Sequence, residues 1–327
     1  MSSPLQSSER YEGYDVVRID YPFISFRWKK DVELLGHCNG LIYCLDNTRR
    51  LSCLWNPATK EYKIIPKLQL GSDLVEVDSG TWWIDPPLSQ EHTENTTICL
   101  HAFGYDCKIG DYKVICVEYL SGIKDGCLIH VYTLGTNSWT SSQTELEMVP
   151  VSPQNGVLVN GLLHWLGIKH GKKVIMSLDL NSERFNELEP PKEALENSLI
   201  TVEALEGFLC VLVEVFQVQF EVWVMRDYGV RESWTRRYIH DDIGTLKLSG
   251  INVRENTIKS FSKVMWFFGE ILLWDGYRTV FHDLKHLTER KLSTYINFSN
   301  LVVNYFESLV SVKSGIYVGE NQEDEEE

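Results

Sequence analysis

Asn160-Gly161-Leu162-Leu163-His164-Trp165 opens an apolar run, and Leu178-Asp179-Leu180-Asn181-Ser182-Glu183-Arg184-Phe185 closes a second run on a polar turn and an aromatic ring. A glycine entering a strand, a hairpin, a second strand, a polar turn and an aromatic make one supersecondary unit. Outward from this stretch the unit recurs. One copy runs from Asn39-Gly40-Leu41 to Trp55-Asn56-Pro57-Ala58-Thr59-Lys60-Glu61-Tyr62. Another runs from Phe103-Gly104-Tyr105 to Tyr132-Thr133-Leu134-Gly135-Thr136-Asn137-Ser138-Trp139. A third further copy runs from Glu206-Gly207-Phe208 to Met225 and Trp234, and a weaker one from Gly269 through Asp283 to Lys291.

The closing aromatics Tyr62, Trp139, Phe185 and Trp234 are 77, 46 and 49 residues apart. A four-stranded propeller blade takes roughly 40–50 residues, so the long interval holds one blade plus about thirty more. Those extra residues are visible as an insertion loop at 67–97, with Gly71, Gly80, Trp82, Trp83, Asp85 and the Pro86-Pro87 pair. The small residue lets inner strands crowd at an axis, and the polar turn reverses the chain. The aromatic is expected to fill the wedge between neighbouring blades. A lone blade leaves its faces uncovered, so the repeats must stack and close. The expected fold is an all-β propeller of about six blades, within a range of five to seven, its last blade shared by strands at 16–19 and 301–312.

Periodicity supports β structure throughout. Val218, Phe220, Val222 and Val224 alternate with Gln219 and Glu221, while Val213 and Val215 are out of phase with them. The slip near Phe216 predicts a hairpin across 208–225 rather than one strand. Helical periodicity is scarce, with a turn or two expected at 192–199.

Composition narrows the function classes. The chain of 327 residues is 43% hydrophobic, with ten Trp, fifteen Tyr and thirteen Phe, which suits a folded protein with an ample core. Its net charge is −15, and six of the acids fall in 320–327, leaving 40 acids against 31 bases elsewhere. Such a surface repels phosphate, arguing against general nucleic-acid or anionic-membrane binding. None of the eight cysteines has CxxC spacing, and no signal-peptide-like run opens the sequence. A reduced cytoplasmic or nuclear protein is expected. The domain reading is a disordered 1–13, a propeller over 14–319 and an acidic disordered tail at 320–327.

Chemistry-bearing motifs are few. His282 and His286 stand four apart but lack the Glu of a zinc helix and lie in a strand-like repeat. No nucleophile elbow or phosphate loop appears. Asp106, Asp111 and Asp179 fall in turns, where the residue type caps backbone amides. They and Asp283 are also the acids a propeller glycosidase would need at its axis. No catalytic residue, metal or cofactor is expected.

Seven ordered motifs carry a resemblance. Gly36-His37-Cys38-Asn39-Gly40-Leu41-Ile42 with the Leu54 to Tyr62 stretch, Gly104-Tyr105-Asp106 with Gly110-Asp111-Tyr112-Lys113-Val114, Val131-Tyr132 to Ser138-Trp139, and Val159 to Trp165 come first. Ser177 to Phe185, Glu221 to Thr235 and Tyr305-Phe306-Glu307-Ser308-Leu309-Val310 complete the order. Over about residues 30–312 the sequence resembles the plant F-box-associated domain of the F-box/kelch-repeat and S-locus F-box proteins. The resemblance implies a kelch-like propeller that binds a target protein for an SCF-type ubiquitin ligase, without catalysis. It also implies an F-box ahead of the propeller, and residues 1–30 show no Leu-Pro start and no amphipathic helical run. Binding of the Skp-type linker and cullin is therefore expected only where an F-box is supplied. The alternatives are a propeller carbohydrate-active enzyme and a scaffold or decoy outside ubiquitination. For the target contact, Trp82, Trp83 and Asp85 are the candidate anchors, because exposed aromatics concentrate binding energy. Lys169, Lys172 and Lys173 at another hairpin tip are candidates for steering an acidic partner.

Overall fold

The computed structural model describes residues 9–11, 14–16, 32–46, 51–68, 97–120, 126–151, 156–192, 198–215, 219–240, 263–267, 270–274, 279–283, 288–291 and 306–313. Their regular structure is almost wholly β. The first large sheet orders β3 (Val32–Cys38), β4 (Leu41–Asp46), β5 (Leu51–Asn56) and β6 (Glu61–Ile64). The second repeats that order with β7 (Thr97–Asp106), β8 (Asp111–Leu120), β9 (Cys127–Thr133) and β10 (Ser138–Thr144). In the third, β13 (Leu162–Lys169), β14 (Lys172–Asp179) and β15 (Phe185–Leu188) follow an innermost strand split into β11 (Val149–Pro150) and β12 (Val157–Val159). The fourth holds β16 (Ser198–Leu205), β17 (Phe208–Val215), β18 (Gln219–Met225) and β19 (Trp234–His240). The fifth holds β20 (Lys263–Phe267), β21 (Glu270–Trp274), β22 (Thr279–Asp283) and β23 (Thr288–Lys291).

Each sheet is an antiparallel meander, and the first strands of successive sheets touch. β3 lies on β7, β7 on β12, β12 and β13 on β16, and β16 on β20. Inner strands against inner strands, with the others fanning outward, is the blade arrangement of a propeller. The all-β propeller is thus as expected, with five large sheets among the described residues where about six blades were expected.

The sequence explains the hairpins locally. Asn160 and Gly161 both have positive φ, 53° and 76°, as a two-residue hairpin loop matched to strand twist requires. Asn39-Gly40 and Glu206-Gly207 repeat the device at the same turn of the first and fourth sheets. Gly156 serves a different need. A Cβ there would come within 2.6 Å of both Ala102 and Trp165, so only glycine lets the third sheet's inner strand pass the second sheet.

The core lies between sheets. Leu100, Ile115, Ile129, Trp165, Met176 and Leu178 fill the space between the second and third. Val159, Leu166, Ile200, Val211, Met225 and Trp234 do the same between the third and fourth. Polar bonds cross these layers as well. The Lys63 ammonium donates to the Leu134 carbonyl at 3.2 Å, and that of Lys113 to the Leu180 carbonyl at 2.6 Å. Trp139 Nε1 donates to the Pro66 carbonyl at 2.7 Å, and Trp234 Nε1 to the Glu189 carbonyl at 3.0 Å. Both acceptors follow the last strand of the preceding sheet, so the two indoles sit at equivalent places in the repeat.

His164 joins the third and fourth sheets and sets a pH limit. A carbonyl oxygen only accepts, so Nδ1–H donates to Val157 O at 3.1 Å, which leaves Nε2 to accept from the Tyr228 hydroxyl at 2.8 Å. Burial pushes the His164 pKa down to about 4 from its usual 6.5. The folded state keeps the ring neutral while the unfolded chain protonates, so this stability is complete above pH 6.5. It falls as pH drops from 6.5 to 4, by about 3 kcal/mol in all. Urea unfolding at pH 7 and pH 4.5 should show a smaller acid loss in His164→Gln than in the wild type. An equal loss in both proteins would refute the assignment.

Several expectations need correction. β17 ends at Val215 and β18 starts at Gln219, as the phase slip predicted. The polar face assigned to Glu221 is wrong, however. Glu221 is buried, accepting from Trp223 Nε1 at 2.7 Å and from the Arg236 guanidinium at 3.1 Å. A strand paired on both edges and covered on both faces, as β18 is between β17 and β19 and the neighbouring layers, does not sort residues by alternation. Of the helical turn expected at 192–199, residues 193–197 lie outside the described residues, and Ser198 and Leu199 begin β16. At the N-terminus, β1 (Glu9–Tyr11) pairs only with β2 (Tyr14–Val16) among the described residues.

Residues 306–313, the described part of the C-terminal segment, form a latch. Only Val310 makes a β-bridge there. Asn56, fully buried, donates through Nδ2 to the carbonyls of Ser308 at 3.0 Å and Val310 at 2.7 Å. Ser308 Oγ donates to the Asn39 carbonyl at 2.6 Å, and Val310 and Val312 join the core between the first two sheets. Residues 308–312 are thereby fastened to the first sheet.

Candidate functional site

A four-stranded meander has two ends. The first and third turns of each sheet lie at one, called here the turn end. The second turns, and the links to the next sheet, lie at the other, called the link end. The turn end is built by backbone capping. Asp106 Oδ1 accepts from Lys108 N at 3.0 Å, and Asp179 Oδ1 from Asn181 N at 2.8 Å and Ser182 N at 3.4 Å. Asp111 accepts from Tyr112 N at 2.7 Å and, across the strands, from Gly135 N at 2.9 Å. These three acids hold turns. Asp283 is in β22, and His282 is a strand residue opposite Ile271 and Glu289, so no helical histidine pair forms there.

Of the expected target-contact residues, the three lysines belong to the link end. Lys169 and Lys172 face each other across the His170-Gly171 turn joining β13 to β14, and Lys173 pairs with Ile168. The chain leaves the first sheet after β6 and enters the second at Thr97, so the link over 67–97 starts and finishes at this same end. Trp82, Trp83 and Asp85 lie outside the described residues. The three lysines are unequal. Lys169 sits between Glu187 at 2.9 Å and Glu147 at 3.0 Å, and its pKa is raised by the bonds to those carboxylates. Lys173 is half-buried and burial lowers its pKa. Lys172 is exposed. The positive charge presented here is therefore weaker than three lysines in sequence suggest.

Apolar contact points went unread in the sequence. Ile168 and Val151 are exposed at the link end of the third sheet, where the Val151 amide donates to the Leu166 carbonyl at 3.1 Å. At the turn end, Ile109, Phe208 and Val230 are exposed, with Phe306 at 73% and Leu309 at 60% on the latch. Single exposed apolar residues are common on protein surfaces, and sequence gives no sign of them. The wedge residues differ among themselves. Trp234 is 8% exposed within its inter-sheet cluster, while Trp139 and Phe185 are half-buried against theirs. Tyr62 is 47% exposed on edge strand β6 and fills no closed wedge.

The family profile described as "F-box associated beta propeller domain" matches residues 17–312. The chain belongs to that family. The F-box-associated propeller is 28% identical over 233 residues to the F-box protein CPR1 of Arabidopsis thaliana, covering 62% of this chain and 51% of that protein. An F-box/kelch-repeat protein of the same plant is 25% identical over 210 residues, covering 62% and 51%. A probable F-box protein, also from Arabidopsis thaliana, is 24% identical over 315 residues, covering 90% and 67%. The chain thus spans about half the length of the first two relatives. Among the described residues no helix is long and apolar enough to cross a membrane. Nor do three or more His, Cys, Asp or Glu residues gather in a metal-binding group among them.

Proposed function

We propose that this propeller is the target-recognition domain of an SCF-type ubiquitin ligase receptor and acts by binding rather than catalysis. Membership of the F-box-associated family over residues 17–312 carries the reading, and relatives described as F-box proteins support it. The target surface is the link end. Trp82, Trp83 and Asp85 on the long link supply the anchors, and Lys172, with Lys169 and Lys173 beside it, borders an acidic partner. Ile168 and Val151 add apolar area next to that hairpin. The carbohydrate-enzyme alternative loses support because Asp106, Asp111 and Asp179 are bonded to turn amides. A decoy would share the target surface and differ only in lacking the ligase connection.

An F-box joined ahead of Tyr14 tests the modular reading. Compared with residues 1–327 alone, the fusion is expected to gain binding of the Skp-type linker while its target affinity stays within about twofold, a change of roughly 0.4 kcal/mol. Ubiquitin transfer to the captured target by the fusion, and none by the unfused propeller, is the expected readout. Loss of target binding on fusion, or a captured target that the fused ligase never modifies, would refute the proposal.

A further inference from the structure

Cys44 on β4 and Cys53 on β5 are directly opposed in the strand register. Their sulfur atoms are 3.3 Å apart, and both residues are fully buried beside Leu34, Ile42 and Trp55. Opposed residues of antiparallel strands have Cα atoms about 4.5–5.5 Å apart, inside the span of about 4.4–6.8 Å that a disulfide bridges. Other thiols of the propeller are not placed this way. Cys116 and Cys127 lie on neighbouring strands, but the register opposes Cys116 to His130 and Cys127 to Tyr119. Cys210 is opposed to Glu203 on one side and Val224 on the other.

We infer that Cys44 and Cys53 form an oxidation site that closes to a cross-strand disulfide under peroxide. One thiol, as its thiolate, attacks a peroxide oxygen and becomes a sulfenic acid as the O–O bond breaks, and the departing hydroxide takes up the proton. The second sulfur then displaces the sulfenic hydroxyl, which leaves with the second thiol proton as water. Two thiols and one hydrogen peroxide give one disulfide and two waters, with both electrons coming from the sulfurs. Closing from 3.3 Å to a bond of about 2.0 Å needs a movement of only about 1 Å between strands already paired. Burial makes the reaction wait on local opening, so it is slower than oxidation of exposed Cys107. The same burial shields the bond from cellular thiols once formed. The disulfide pins the two central strands of the sheet that holds the C-terminal latch, so its effect is on the stability of that sheet.

The test uses the whole chain in two arms. In one, reduced folded protein is incubated with hydrogen peroxide. In the other, reduced unfolded protein is refolded in a glutathione disulfide buffer, which gives the oxidant access before burial. Remaining thiols are blocked with a maleimide under denaturing conditions, and tryptic peptides are sequenced by mass spectrometry. The expected product links the peptide 31–49 to the peptide 51–60 through Cys44 rather than Cys38. The oxidised protein should melt about 2–5 °C higher, a shift reversed by dithiothreitol and absent in Cys53→Ala. Recovery of Cys44 and Cys53 both maleimide-labelled in the two arms would overturn the inference. So would a link to 51–60 that persists in Cys44→Ala.

Discussion

Trp234→Ala is expected to destabilise the propeller by about 3–5 kcal/mol, the usual cost of deleting a buried tryptophan from a packed layer. The ring lies between the third and fourth sheets with Val159, Leu166, Ile175 and Val202, and its Nε1 is bonded to the Glu189 carbonyl at 3.0 Å. Two losses coincide in the alanine variant: the apolar volume and the partner of a backbone carbonyl. Trp234→Phe separates them, since it keeps most of the ring and loses the bond, at a cost of about 1 kcal/mol plus a small cavity. Trp139→Ala, from a half-buried position, should cost less than Trp234→Ala. Urea unfolding followed by circular dichroism measures all three. A loss under about 1 kcal/mol for Trp234→Ala would show that the indole is not a wedge.

Lys113→Ala is expected to be comparably damaging for an electrostatic reason. The ammonium is buried, 3.0 Å from Asp106 and 3.6 Å from Glu183, and donates to the Leu180 carbonyl of the next sheet. Asp106 Oδ2 is buried and has no other donor. Removing one partner of a buried pair leaves an uncompensated charge, which costs about 3–5 kcal/mol. Burial alone would raise the Asp106 pKa, but the Lys113 ammonium and the amides of Lys108 and Ile109 together hold it below the usual carboxylate range. The folded pKa being depressed, this stabilisation is present above about pH 4 and lost as pH falls through the folded value. Lys113→Ala should therefore flatten the acid limb of the stability curve as well as lower its plateau. The double variant Lys113→Met with Asp106→Asn should recover part of the loss, because no buried charge is left over. If it is as unstable as the sum of the singles, the two residues are not coupled.

How the sequence announces this fold, and where it stops, follows from the range of each signal. Asn39-Gly40, Asn160-Gly161 and the Trp139 and Trp234 positions are local chemistry, and they are visible because each repeat needs the same turn and the same closing ring. Lys113 gives no such sign. A lysine in a strand reads as solvent-facing, and only the approach of the Leu180 turn from another sheet makes it a buried donor. Glu221 misleads in part for the same reason, since Trp223 lies two residues along its own strand but Arg236 reaches it from β19. Nothing local in 306–313 announces the latch, which is set by Asn56, some 250 residues away, through the Ser308 and Val310 carbonyls. At the candidate surface, the lysine hairpin was legible as a charged tip. The neutralisation of Lys169 by Glu147 and Glu187 was not, because those acids arrive from a link and an outer strand.

Hydrogen–deuterium exchange of the propeller with and without its captured target tests the central claim most directly. Target recognition at the link end predicts slowed exchange in peptides spanning 67–97 and 169–173, with the latch at 306–313 unchanged. Replacing Trp82 and Trp83 together by Ala, in a variant with wild-type melting temperature, should abolish that protection. Protection confined to the latch and the turns bearing Ile109, Phe208 and Val230 would contradict the account and place recognition at the opposite end.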